Sequence, residues 1–418
     1  MVVQYLQKPF FLATIFLCFI FYSGLFNIKV EESYYCLFPR EDITEITGTI
    51  LKSPSKTGSG KYYSTVVELN HIRDTNNYFS TASGRIKVLI PTDMAEAFFP
   101  GKLYSRTINK GSFLYEAGGI YTFSGKNRDS GFIIEKCTDN SWPATIFGRI
   151  DYFRALCRLQ FKRLMYSWGV AGGLLLALLS GAREYTEKNL SDCFRNSGLS
   201  HILALSGMHL SMFSSIAVYV GNKIGNKNLT YIFRIIIIII FVWFAGFSPS
   251  LLRAFICSFL AILAIISGSE EPDKLMILCF AFLLQCIISP ADIWNLGFIL
   301  SYGALAGILL LNKPLFKIYS KLFPGYLSAS LSSSTSAQIF TIPVSIRNFG
   351  FFTPIGIIAT TVISPLITFF IYSGLILIIL SLIFPILMSS SGIFMNLQYT
   401  VIKFLVTLFS QFPKWSIN

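Results

Sequence analysis

Residues 199 to 210 read LSHILALSGMHL and carry two of the chain's three histidines, His201 and His209, around a Ser206–Gly207 pair. Three chemistries use such residues: a serine nucleophile with a histidine base, a metal site, or a polar seam inside a membrane. Read as one helix, the segment sets Ser206 and His209 about 60° apart, on a shared face. A nucleophile needs an exposed hydroxyl at a strained turn or helix start, a base aimed at it and a group orienting that base. In this reading Ser206 is mid-helix, the segment holds no carboxylate, and the G-x-S-x-G turn is absent. A zinc pair prefers histidines at i and i+4, whereas His201 and His209 would be about 80° apart around the helix and ~12 Å apart along it. No metal and no cofactor is therefore expected. The remaining reading makes Ala204, Ser206 and Gly207 close-packing residues, with His201, Ser206 and His209 offering polar groups to a packed or hydrated interior. Whether that seam is only structural or lines a path stays open at this point.

The elements that must position these residues are apolar. Of 418 residues 53% are hydrophobic and 13% charged, mean hydropathy is +0.60, and several runs approach the length a bilayer demands. The fold class expected is an α-helical polytopic membrane protein with an inserted small β-barrel (OB-like) extracytoplasmic domain. Charge is uneven: residues 29 to 148 carry 14 Lys and Arg against 13 Asp and Glu, and residues 149 to 418 carry 19 against 8. The basic excess belongs to the membrane half, where cytoplasmic loops favour cations and a path for a polyanion would as well.

Residues 1 to 28 read as a retained membrane anchor with its N-terminus inside, which puts residues 29 to 148 outside. That region is β-rich, with strands expected in EITGTILK, KYYSTVVELNHI, GRIKVLIP, GKLYSRTIN and GFIIEKC. Five strands of this size are compatible with a small barrel of OB type. Tyr62, Tyr63, Tyr78 and Phe79 suit either base stacking or the barrel core. Cys36 and Cys137 bracket the region and are expected to form a disulfide. TGSGKYYS mimics a phosphate loop but fails it, with Ser55 where the first glycine belongs and Tyr62 after Lys61. Residues 149 to 168 form a basic amphipathic helix expected on the membrane surface. Residues 169 to 418 form a polytopic channel domain, with spans near 199–220, 231–247, 250–267, 275–289, 296–311, 353–371 and 372–389. VAGGLLLALLSG, residues 170 to 181, is too short to span and reads as re-entrant.

Further polar residues interrupt the apolar segments. In FSPSLLRAFICSFL, Pro249 breaks the run and Arg253 follows one turn later; an unpaired mid-bilayer arginine costs about 2.5 to 3.5 kcal/mol. SPADIWNLGFILSYGALAG carries Asp292, Asn295, Ser301 and Tyr302, and SAQIFTIPVSIRNFG carries Gln338, Pro343 and Arg347.

The run FRNSGLSHILALSGMHLSM resembles the signature of the ComEC-type competence family, the inner-membrane DNA channel of natural transformation. PSLLRA resembles that family's second motif, SPADIWNLGFILSYGAL its third, and FLYEAGGIYTFSGK the end of its OB-like domain. The resemblance implies a channel in the bacterial cytoplasmic membrane that passes single-stranded DNA inward, without bond-breaking chemistry of its own. It implies a path lined by Arg183, Arg195, Arg253 and Arg347 with His201, Ser206, Gly207, His209 and Gln338. The partners it implies are a periplasmic DNA-receptor protein and a cytoplasmic helicase-type motor or single-strand-binding proteins. Relatives often continue into a metallo-β-lactamase-like domain whose ligand cluster is not found before Asn418, so a separate nuclease is expected. The alternative is a secondary transporter of a small solute or ion, built on the same broken helices.

Overall fold

The computed structural model describes residues 8–23, 34–97, 114–128, 130–225, 227–269 and 271–416. Helix α1 (Pro9–Tyr22) is followed by the strands β1 (Ile43–Ile50), β2 (Tyr62–Asp74), β3 (Ser83–Pro91), β4 (Ile120–Arg128) and β5 (Gly131–Ser141). Buried and less buried residues alternate along β1, β2 and β4, the period of a strand with one face on a core. β1 pairs antiparallel with β2 and β4, β2 with β3, and β4 with β5. β3 then meets β5 in parallel at Val88–Phe132 and Leu89–Ile133, so the pairings run round a closed ring of five strands. Ile46, Val67, Val88, Phe123 and Phe132 are fully buried in its core.

Two expectations change here. The run GKLYSRTIN lies among residues 98–113, outside the described residues, and the fourth ring strand is Ile120–Arg128 instead. Cys36 and Cys137 are free thiols, not a disulfide. The strand Tyr34–Tyr35 pairs with β3 at Gly84 and Ser83, which leads Cys36 past the start of β3. Cys137 stands five residues beyond Phe132, past the end of the β3–β5 pairing. Their thiols turn to different carbonyls, Cys36 to Phe38 and Cys137 to Asp139. Of the four aromatics, Tyr63 is core, while Tyr78 and Phe79 are exposed.

The helices that follow the strand ring are α2 (Ile146–Ser167), α3 (Gly169–Ser180), α4 (Lys188–Asn196), α5 (Ser200–Leu203), α6 (Gly207–Ile224), α7 (Lys227–Ala245), α8 (Pro249–Ile266), α9 (Lys274–Ile288), α10 (Leu296–Tyr319), α11 (Gly325–Phe349), α12 (Gly356–Ile383) and α13 (Met388–Ser410). Among the described residues five helices are long and apolar enough to cross a membrane: α7, α8, α10, α12 and the span ending in α13. The spans expected at 353–371 and 372–389 are one continuous helix, α12. Gly374 supplies no break; it lets Leu175 of α3 approach to where a Cβ would stand at 2.6 Å. At 12 residues α3 is about 18 Å long, too short to span, and it is sheathed on all sides by its neighbours. Helix α1 lies beside α9, with Lys8 on Asp273 at 2.7 Å at one end and Tyr22 donating to the Ile293 carbonyl at the other.

Helix α2 reverses the expected polarity of a surface helix. Ile146, Phe147, Ile150 and Phe153 are exposed, whereas Arg158 and Lys162 are buried. Both cations meet Glu116, which precedes β4: Arg158 Nε at 3.3 Å and Lys162 Nζ at 3.2 Å, and Lys162 also reaches Glu184 after α3 at 3.2 Å. Arg158 Nη1 donates as well to the Phe244 and Ala245 carbonyls, the open C-terminal end of α7. Burial alone would push Glu116 up, but Arg158, Lys162 and a hydrogen bond from Ser53 hold it at about 2. Glu184 is raised because its burial outweighs Lys162. Desolvation would lower Lys162, yet Glu184 and Glu116 together raise it.

Glu116, depressed in the folded state, contributes stability that is present above the ordinary carboxyl value of 4.5 and is lost as pH falls toward about 2. Glu184 works in the opposite sense, losing its share as pH rises through its folded value. Glu116→Ala leaves two buried cations short of charge and is expected to cost about 3–5 kcal/mol in detergent-phase thermal unfolding. Glu116→Gln is expected to flatten the acid limb between those two pH values. An unchanged acid limb in Glu116→Gln would remove this carboxylate from the account.

Candidate functional site

The segment around Ser206 is not one helix. Helix α5 ends at Leu203, Ala204 is extended with ψ 136°, Ser206 is extended at φ −139°, ψ 175°, and α6 begins at Gly207. Ser206 is therefore an N-cap, and the Ser206–His209 spacing is that of a cap and its third helical residue. The Ser206 N–H donates to His209 Nδ1 at 3.3 Å, and Ser206 Oγ lies 3.3 Å from the same nitrogen. With Nδ1 accepting, the neutral ring carries its proton on Nε2, a tautomer assigned from this bond. That Nε2 is buried and has no hydrogen-bond partner among the described residues. The mid-helix objection to a nucleophilic serine thus falls, but the group that would orient the base is missing. His201, exposed on α5, is separated from this pair by the break. Among the described residues no group of three His, Cys, Asp or Glu side chains is placed to hold a metal.

The next motif arrives at the same place. Ser248 caps α8 by accepting from the Leu251 N–H at 3.3 Å, and Pro249 occupies the first turn, where a missing N–H costs nothing. One turn later Arg253, 8% exposed, donates from Nη1 to the Ser301 carbonyl at 2.9 Å, and its guanidinium lies over the Tyr302 ring. Tyr302 donates to Gln285 Oε1 at 2.9 Å, and Gln285 Nε2 donates to the Pro249 carbonyl at 3.1 Å. Ser250 Oγ holds the Gly297 carbonyl at 3.0 Å, while the Asn295 side chain caps α10. A Cβ on Gly207 would stand 3.3 Å from Arg253 Nη2, so the glycine of LSGMH is where the arginine of PSLLRA comes closest to the start of α6.

Gly207 and Arg253 line a cavity of about 570 Å³ between α6, α7, α8 and α10. Its other walls include Ser211, Ser214, Ser215 and Ser258, and a second arginine, Arg234, whose Nε donates to Ser214 Oγ at 3.0 Å. Arg234 escaped the sequence reading although a signal existed: it stands in IFRIIIIIIF, where a charge is costly unless a polar interior receives it. The other residues expected on the path are elsewhere. Arg183, Arg195 and Arg347 are exposed, and Arg195 pairs with Asp192 at 3.1 Å. Gln338 lies at the contact of Gly198 with Gly356, its Nε2 at 2.8 Å from the position of a Gly356 Cβ.

Fold and site together define a multi-pass helical membrane protein with a cationic, hydroxyl-lined cavity and a β domain on one flank. The chain belongs to the Competence protein family, whose description matches residues 178–418. It is 25% identical over 211 residues to ComE operon protein 3 of Bacillus subtilis (strain 168), covering 48% of this chain and 25% of that protein. It is 26% identical over 147 residues to Recombination protein 2 of Haemophilus influenzae, covering 33% of this chain and 18% of that protein. An uncharacterised protein of Aquifex aeolicus is 27% identical over 246 residues, 57% of this chain and 54% of that one. Each match thus covers little more than half of the relative at most. No solved structure matches the chain.

The pair Gln285–Tyr302 joins α8, α9 and α10, and both side chains are buried. Gln285→Leu strands the Tyr302 hydroxyl and the Pro249 carbonyl, an expected loss of about 1–3 kcal/mol, read as a lower melting temperature in detergent. A melting temperature equal to wild type would show that water replaces the glutamine.

Proposed function

We propose that the protein passes a single strand of DNA across the bacterial cytoplasmic membrane during natural transformation, through the cavity between α6, α7, α8 and α10. The observation that carries this reading is that cavity: two arginines and a row of serines open into it, and a polyanion stripped of counterions requires such walls. Membership of the Competence protein family supports it. Arg253 and Arg234 form the cationic lining, Gly207 and Ser206 shape its start, and His209 holds the break that opens it.

The β domain is assigned to the extracytoplasmic side. Lys223, Lys313, Lys317 and Lys321 stand at the helix ends remote from the Arg158 contact, as the positive-inside bias requires of cytoplasmic loops. Lys8 pairs with Asp273 on that side. We read the strand ring as an OB-like barrel, supported by its order β1-β2-β3-β5-β4 with one parallel closure. A periplasmic DNA-receptor protein would deliver the strand, and a cytoplasmic helicase-type motor or single-strand-binding proteins would draw it in, with any nuclease separate. The helix break before Ser206 also suits a secondary transporter of a small solute or ion. That alternative requires solute flux in proteoliposomes and normal transformation in the deletion strain.

Arg253→Ala and His209→Ala are each expected to reduce cytoplasmic uptake of labelled DNA at least tenfold, at near-normal protein level in the membrane. Wild-type uptake by both variants at wild-type abundance would discard the lining. Purified protein is expected to leave end-labelled strands intact with Mg²⁺, Mn²⁺ or Zn²⁺. Cleavage that co-purifies with the chain and disappears in Asp192→Ala, Asp292→Ala or His201→Ala would replace the pure channel with an enzyme.

A further inference from the structure

We propose that the start of α6 and Arg253 form a seat for one phosphodiester group of an unpaired strand, with Arg234 as a second, deeper contact, so that the cavity grips the backbone and not the bases. This rests on the DNA-passage reading and names the part of the strand that is held.

Helix α6 runs 18 residues, and its first amides, those of Gly207 and Met208, have no carbonyl one turn earlier to receive them. Such a terminus carries partial positive charge and suits a phosphate. The independent observation is Arg253. It is 8% exposed, its Nε has no partner among the described residues, and Nη1 is spent on the Ser301 carbonyl. Nη2 is left against Gly207, on the cavity wall. Among the described residues neither Arg253 nor Arg234 has an acidic partner. Two guanidinium groups therefore face one cavity without compensation, a condition that a bound anion relieves.

Depth follows from helix rise. Arg253 is four residues into α8 and Arg234 is eleven residues before the adjoining end of α7, so the two sit about 6 Å and about 16 Å from that junction. About 10 Å between them is near three phosphate steps of a stacked strand and fewer of a stretched one. The volume is that of a small-molecule site, enough for a nucleotide or two. Among the described residues no aromatic ring lines it; Tyr302 lies behind Arg253. Base stacking, the usual sequence-tolerant grip on single strands, is thus not what the cavity offers, and phosphate contact is.

The test uses the full chain in lipid nanodiscs and the fluorescently labelled octamer dT8, its abasic counterpart and its methylphosphonate counterpart. Expected: dT8 and the abasic strand bind within about threefold of each other, and the methylphosphonate strand binds at least tenfold more weakly. Because these comparisons use wild-type protein, a misfolded variant cannot obscure them. Arg234→Gln and Arg253→Gln are each expected to lower the slope of log affinity against log salt by about 0.7, the share of one single-strand phosphate. Methylphosphonate binding equal to dT8, loss of binding by the abasic strand, or unchanged slopes would overturn the seat. So would competition by glycerophosphoglycerol or inorganic phosphate as strong as that by unlabelled dT8, which would make it a headgroup or free-anion site. A deletion strain that still takes up DNA, beside phosphate-dependent dT8 binding, would sink the passage reading and leave the seat. Loss of uptake beside methylphosphonate-insensitive binding would do the reverse.

Discussion

The buried quartet Glu116, Arg158, Lys162 and Glu184 is the constraint on which the arrangement turns. Its members come from three places: the segment before β4, helix α2, and the turn after α3. Arg158 adds a fourth by holding the last carbonyls of α7. Two acids and two bases cancel in charge, and Ser53 supplies a further donor. Such networks seldom add net stability over an apolar replacement. What this one does is fix position: the end of α7 is pinned to the β domain, α8 starts four residues later, and Arg253 follows one turn on. The depth of the cavity's first arginine is therefore set by a contact at the very end of a membrane-spanning helix, on the β-domain side.

The membrane class, the strands β1, β2, β3 and β5, and the inward placement of Arg253 were all legible in the sequence, because each rests on a local signal: hydropathy, β-rich composition, or a charge in an apolar run. The misses were those that hydropathy and periodicity do not register. Ser206 looked mid-helix because nothing in LSHILALSGMHL forbids a continuous helix. At the break the Ser206 N–H goes to His209 Nδ1 and not to a carbonyl one turn earlier. The two spans expected at 353–371 and 372–389 are one helix, in which Gly374 is a packing site for Leu175. Thr360, Thr361 and Thr368 return hydroxyls to carbonyls four residues back along α12, the local way a helix tolerates polar residues and Pro365 in an apolar setting.

Cysteine bracketing misled for a similar reason. Two thiols at the ends of a domain suggest a staple, but strand register decides whether their Cβ atoms can meet. Register in a closed ring is a property of all five pairings and cannot be read from spacing. The basic face of α2 misled too: alternating cations and apolar residues describe a surface helix equally well whether the cations face water or a buried pair of acids. Only Glu116 and Glu184, one 42 residues before Arg158 and the other 22 after Lys162, settle it.

The chain thus handles buried charge in two opposite ways. Beside the β domain, Arg158 and Lys162 are matched by acids, and the result is a joint. In the cavity, among the described residues, Arg253 and Arg234 meet a carbonyl, an aromatic face and a hydroxyl but no acid. Packing alone gives no reason to keep a guanidinium there, since leucine or methionine would fill comparable space without the desolvation cost. A structural charge carries its counter-charge with it; a charge left without one is suited to a visitor that supplies it. His201, Arg183, Arg195 and Arg347 are exposed and lie outside that cavity. In the proposed DNA path that visitor is the strand, and Arg253 and Arg234 meet it together with the glycine that leaves room beside Arg253.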